Sequence, residues 1–188
     1  MNHKIDGLAI VGLALILLLC ASLLGDATSA SGIQLHTPDT ILTQEATAAI
    51  ADPAAFAAPY ESYTLTQGPH GATYGHRAID IAAGEGAAIL SPIYGAITER
   101  LSDQYGNPTL VIENENYRVT LLHGVYTVEV GQTVALGDII GSESNLGYTM
   151  DMYGNLCWGR AGCGYHTHLN VFDKRLGENV NPLDLFDP

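Results

Sequence analysis

PTLVIENENYRVTLLH, Pro108 to His123, is the stretch that decides how the chain folds. Within it, Pro108 to Glu113 and Tyr117 to His123 alternate at the period of two that sends successive side chains to opposite faces of a strand. Between them Asn114-Glu115-Asn116 supplies polar, turn-tolerant residues, so the whole reads as a hairpin. The flanking text has the same texture. Upstream, Ala87 to Leu90 and Gly95 to Leu101 are short strands joined through Ser91-Pro92, and Asp80 to Ala82 is another. Downstream, VEVGQTVALGDIIG (Val128 to Gly141) sets glycines at turns with Val and Ile between them, and a last strand runs from Tyr165 to Phe172. Long amphipathic helix patterns are absent. A mostly β, antiparallel sheet domain is therefore expected, interrupted before its last strand by a polar loop from Gly147 to Gly164.

Further outward the composition changes. Gly7 to Gly25, GLAIVGLALILLLCASLLG, carries no charge, follows Lys4 and precedes Asp26. Its length is close to that of a bilayer span and exceeds the apolar core of a usual signal peptide. The basic side favours an inner N-terminus with the remainder exported. Small-residue sites at Ala27-Thr28-Ser29 and Thr28-Ser29-Ala30 keep a cleaved signal as the alternative to a standing anchor. The expected organisation is thus an N-terminal transmembrane or signal helix over 1–25, an Ala/Thr/Ser/Pro-rich linker over 26–62, and a folded domain over 63–188. A short helix around Thr43 to Ile50 is compatible with the linker. Seven Lys and Arg face twenty Asp and Glu, a net charge of -13, and no basic cluster occurs. Nucleic acid is excluded as a partner on that ground, whereas a divalent cation suits such a surface.

Chemistry concentrates in three places. In Tyr165-His166-Thr167-His168-Leu169-Asn170-Val171, an extended chain turns His166, His168 and Asn170 to one face and Thr167, Leu169 and Val171 to the other. The two imidazoles then stand about 6 to 7 Å apart at their Cα atoms, close enough for one to bind a metal while the other works beside it. His76 and Asp80, in HRAID, are four residues apart. Fully extended, their Cα atoms would be about 13 Å apart, so both reach one ion only if the chain bends between them. Gly75 and the small Ala78 permit that. Each motif alone also suits solvated surface residues; their combination is what points to a site. Cys157 and Cys163 lie in CWGRAGC, and in an exported chain they are candidates for a local disulfide. A closed Cys2His2 zinc site from Cys157, Cys163, His166 and His168 is the competing arrangement.

Taken together, HRAID (His76 to Asp80), LLHG with His123, and HTH (His166 to His168) resemble the M23 family of zinc metallopeptidases, the lysostaphin-like and LytM-like enzymes that cut peptidoglycan peptides. GEGAAILSPIYGAI and VGQTVALGDIIG resemble that family's connecting hairpin and the turn before its last strand, and the likeness covers about residues 63 to 186. It implies the LytM/lysostaphin type of sheet with an open groove. It further implies His76, Asp80 and His168 as ligands of one Zn2+ per domain, with the fourth position open to water. His123 and His166 would be the catalytic pair that moves a proton and steadies the tetrahedral intermediate. The implied function is a zinc endopeptidase acting on peptidoglycan stem peptides or cross-bridges. The alternative is a non-catalytic module of the same fold that binds the wall or activates another hydrolase. A monomer is expected, extracytoplasmic and held at the bacterial cytoplasmic membrane by its N-terminal helix, or secreted if that helix is cleaved. The chain departs from the family at Ala78, where Gly is usual, at Gly124, where Leu is common, and at Asn170, where Glu is frequent. His70, Tyr74, Trp158 and Asn170 are candidate substrate contacts.

Overall fold

The computed structural model describes residues 51–186. The apolar segment 7–25, the linker up to residue 50 and the short helix expected near Thr43 to Ile50 lie outside the described residues. Strands β1 (Thr64–His70), β2 (Ala78–Ala82), β3 (Ala88–Leu90), β4 (Gly95–Ser102), β5 (Pro108–Glu113) and β6 (Tyr117–Leu122) are followed by β7 (Val125–Tyr126), β8 (Thr133–Val134), β9 (Ile139–Ser142), β10 (Thr167–Asp173) and β11 (Glu178–Val180). The larger sheet has the order β1-β2-β10-β6-β5-β4-β8, with β11 beside the second half of β10, and β3-β9-β7 form a small second sheet. All pairings are antiparallel.

The hairpin read from Pro108 to His123 is present as β5 and β6. Asn114 makes its turn: the side-chain oxygen accepts from the Asn116 and Tyr117 N–H groups at 2.9 and 2.8 Å. Along β6, Tyr117, Val119 and Leu121 are buried while the residues between them are not. They join ladders across the sheet, Leu169 to Leu121 to Leu110 and Val171 to Val119 to Ile112. All of these aliphatic residues are fully buried. Each contributes on the order of 2 kcal/mol of apolar burial, which fixes register because a one-residue slip would turn the row to water. Ile89 and Ile140 of the small sheet belong to the same core.

Three features differ from the sequence expectation. The last strand begins at Thr167 rather than Tyr165, because His166 turns its ring back and its Nδ1 bonds the Gly164 carbonyl at 2.8 Å. β1 was not expected, since its residues are nearly all exposed and carry no apolar alternation. The boundary at residue 63 also falls late. Phe56 and Tyr60 are core residues, 7% and 5% exposed, and the Ala57 and Leu90 N–H groups donate to Pro92 O and Pro59 O at 3.0 and 2.9 Å. Residues 51–62 are thus packed onto the domain and are not spacer.

Candidate active site

The sheet assembles the site by register. Asp80 on β2 and His168 on β10 are directly opposed, and their side chains meet on the face away from the core, His168 Nδ1 lying 3.0 Å from Asp80 Oδ1. His166, one step before β10, brings Nε2 to 3.7 Å from the other carboxylate oxygen. The chain turns just ahead of His76, and Arg77 alone links His76 to β2. Gly75 is left-handed at φ 73°, a conformation glycine adopts without steric cost. Arg77 is pinned where its N–H donates to Asn170 Oδ1 at 3.0 Å. His76 then reaches His168, Nδ1 to Nε2 at 3.4 Å. Ala78, in place of the family's glycine, is fully buried at the start of β2, so its methyl is accommodated in the core.

His123 follows β6 and lies against His166, ring centroids 4.7 Å apart. Its Nδ1–H donates to Leu146 O at 2.8 Å, which leaves Nε2 as the free nitrogen. Burial, reinforced by the neighbouring His166, lowers its pKa to about 4, so the ring is neutral at ordinary pH. Burial also lowers the pKa of His76, with His168 and His70 adding to it. For Asp80, burial would raise the pKa, but the His168 hydrogen bond and the charges of His166, His168 and His70 hold it below the usual carboxylate range. The five residues expected from the motifs are therefore together.

Of the four candidate substrate contacts, two line one groove, Asn170 and, more openly, Tyr74. Tyr74 is exposed, and the groove, of about 410 Å³, runs from His76 across the open sheet face past Thr109, Val111, Thr120 and Leu122. Asn170 is 4% exposed, and it is fully engaged with Arg77 and with Asn179, whose Oδ1 accepts from Asn170 Nδ2 at 2.8 Å. Asn179 in turn donates to the Gly75 carbonyl. Asn170 thus lines the groove while its amide oxygen holds the backbone next to His76. Trp158 is not among the groove's lining residues; its ring lies over Gly106. His70 faces Asp80 and His168: its Nε2 is 3.5 Å from Asp80 Oδ1, and donor atoms of His70, Asp80 and His168 lie within 4.8 Å of one another. Cys157 and Cys163 form the disulfide, with S–S 1.98 Å, so the Cys2His2 arrangement does not occur. Missed altogether were the carbonyls of Leu146 and Gly164, and Asn145, whose amide donates to Cys157, Arg160 and Cys163 carbonyls at 2.9, 2.8 and 2.9 Å. Backbone acceptors leave no mark in a sequence.

His70, Asp80 and His168 bring donor atoms within 4.8 Å of one another, and His76 approaches the far ring nitrogen of His168 at 3.4 Å, so imidazoles and a carboxylate of the types that zinc takes are gathered on a half-buried face with His123 and His166 alongside. The residues present fit that ion. Among solved structures, a zinc-containing peptidase from Vibrio cholerae is similar at 26% identity and a TM-score of 0.53, over 71% of this chain and 40% of that one. The antimicrobial peptidase lysostaphin from Staphylococcus simulans is similar in fold at 19% identity and a TM-score of 0.50, over 70% of this chain and 52% of that one. The chain therefore spans about half of these proteins or less. No curated protein matches it. The sequence model of Peptidase family M23 matches residues 74–182, more than half of the 188, and includes every one of the five converging side chains: the chain belongs to peptidase family M23.

Proposed function

We propose that the protein is a zinc-dependent endopeptidase that hydrolyses peptide bonds of bacterial cell-wall peptidoglycan, in stem peptides or cross-bridges. It works outside the cytoplasmic membrane, tethered or exported by the apolar segment 7–25. The observation that carries this reading is the cross-strand pair of Asp80 and His168 with His76 beside it and the His123–His166 pair adjoining, His76 also lining an open groove. A divalent ion held by His76, Asp80 and His168 would supply Lewis acidity towards a peptide carbonyl and lower the pKa of water there. The chain's own groups do the rest. His123 and His166 each give Nδ1 to a backbone carbonyl and so present Nε2 for proton transfer or for a hydrogen bond to a developing oxyanion. A buried, neutral His123 is suited to accept a proton. The groove is open and lined by both polar and apolar side chains, which suits a peptide.

The test incubates the zinc-loaded full chain, in detergent, with purified sacculi, with and without a chelator. New amino termini should be released and the chelator should stop their release. A zinc-loaded protein that binds sacculi and releases none would replace this reading with that of a wall-binding module.

A further inference from the structure

We propose that His70 is a metal ligand of the resting protein, adding a third imidazole to those of His76 and His168. His70 closes β1, an edge strand whose pairing with β2 slips twice before it reaches the His70–Ala78 pair. That irregular register brings the ring over the Asp80–His168 pair. His70 Nδ1 is committed to the Gly68 carbonyl at 2.9 Å, and a ring N–H donating to a carbonyl leaves Nε2 with its lone pair. This nitrogen stands 3.5 Å from Asp80 Oδ1, the oxygen that His168 Nδ1 also approaches. The His70 and His168 rings are 5.0 Å apart edge to face. Fixing one ring nitrogen on a carbonyl so that the other faces a ligand cluster is the arrangement that orients metal-binding histidines generally.

A consequence concerns access. His70, Asp80 and His168 already bring donor atoms within 4.8 Å of one another, while His76 stands 3.4 Å from the far ring nitrogen of His168; once His76 also turns onto the ion, the four positions of a tetrahedral shell are filled by protein. A peptide carbonyl or water then enters only as one of them withdraws. His70 is the one free to do so. Its side chain is 23% exposed against 11% for Asp80 and 13% for His168, and it hangs from an irregular edge strand while the others are fixed by the sheet or by Asn170.

The proposal rests on the zinc reading above but is tested by metal coordination, whatever the activity on sacculi. X-ray absorption of the zinc-loaded full chain should count three imidazoles, and His70→Ala should count two. Zinc titration of His70→Ala should show weaker binding by on the order of tenfold or more. His70→Gln provides a second variant that keeps a polar side chain at this position, and it should show the same two imidazoles. A cooperative melt of each variant establishes that it folds. Two imidazoles in the unsubstituted chain would overturn the proposal, as would a shell unchanged in both variants. Should the shell hold three and sacculi still be untouched, the peptidase reading fails and His70 stands as a ligand.

Discussion

His123 holds its place in the left-handed region at φ 71°, where His and Asn are tolerated better than most side chains, and burial keeps it neutral. The cost appears in stability. Unfolded, the ring titrates near 6.5; folded, its pKa is about 4. Between those values the unfolded chain binds a proton that the folded one refuses, so stability is full above 6.5 and falls as pH drops towards 4. The contribution is on the order of 3 kcal/mol. Denaturant melts of the metal-free protein from neutral pH to pH 4 should therefore be steeper in pH than those of His123→Asn; equal slopes would remove burial as the source. A second pair of substitutions separates roles within HTH. His168→Ala should lose both zinc and turnover, because it removes the imidazole that stands between Asp80 Oδ1 and His76 Nδ1. His166→Ala should keep the metal and lose turnover by a factor of about 100 or more. Metal analysis of the two purified variants decides it, and equal zinc loss would show that His166 also ligates. Gly124, beside His123, is explained by contact: a Cβ there would lie 2.7 Å from the Tyr126 ring and 2.8 Å from Ile89, so the leucine common in relatives has no room.

The loop between β9 and β10 contributes no lining residue to the groove; it holds the histidines beside it. Leu146 near its start and Gly164 near its end offer the carbonyls that fix the tautomers of His123 and His166. Asn145 and the Cys157–Cys163 disulfide hold those ends to one frame. Replacing both cysteines by serine should cost about 2 kcal/mol for so short a closed loop. It should also slow turnover by up to about 100-fold through misplaced histidines, while leaving zinc content unchanged. Unaltered kcat would confine the disulfide to stability. At this scale the sequence was legible wherever burial imposed a period. β6 follows from alternation because one face is core, whereas β5 and β10 are buried at consecutive residues and stand out as short apolar runs. β1 was illegible because an exposed edge strand has no apolar face to announce it. His70 was consequently read as a groove residue, its position depending on a register irregularity that only the folded pairing shows.

For the molecule as a whole, the clustering of His76, Asp80, His166 and His168 was legible because HRAID and HTH each carry polar groups on a face the core does not need, and strand pairing joins them. Where the domain begins was not, because residues 51–62 are rich in Ala and Pro and their two anchoring aromatics show no periodicity. Phe56 stacks on Phe186 at 6.1 Å and meets Tyr117 edge-on at 5.5 Å. The Tyr60 hydroxyl hydrogen-bonds the Thr167 hydroxyl, and Thr167 sits between His166 and His168. The strap thus reaches the rear of the strand whose front carries the site. Phe56→Ala in the full chain should cost about 3 kcal/mol or more. A chain starting at residue 63 should melt well below one starting at residue 51, and Tyr60→Phe, which removes only the hydroxyl, should cost about 1 kcal/mol. Should the chains starting at 51 and 63 melt together, residues 51–62 would be spacer after all, and Thr167 would be held by the sheet alone.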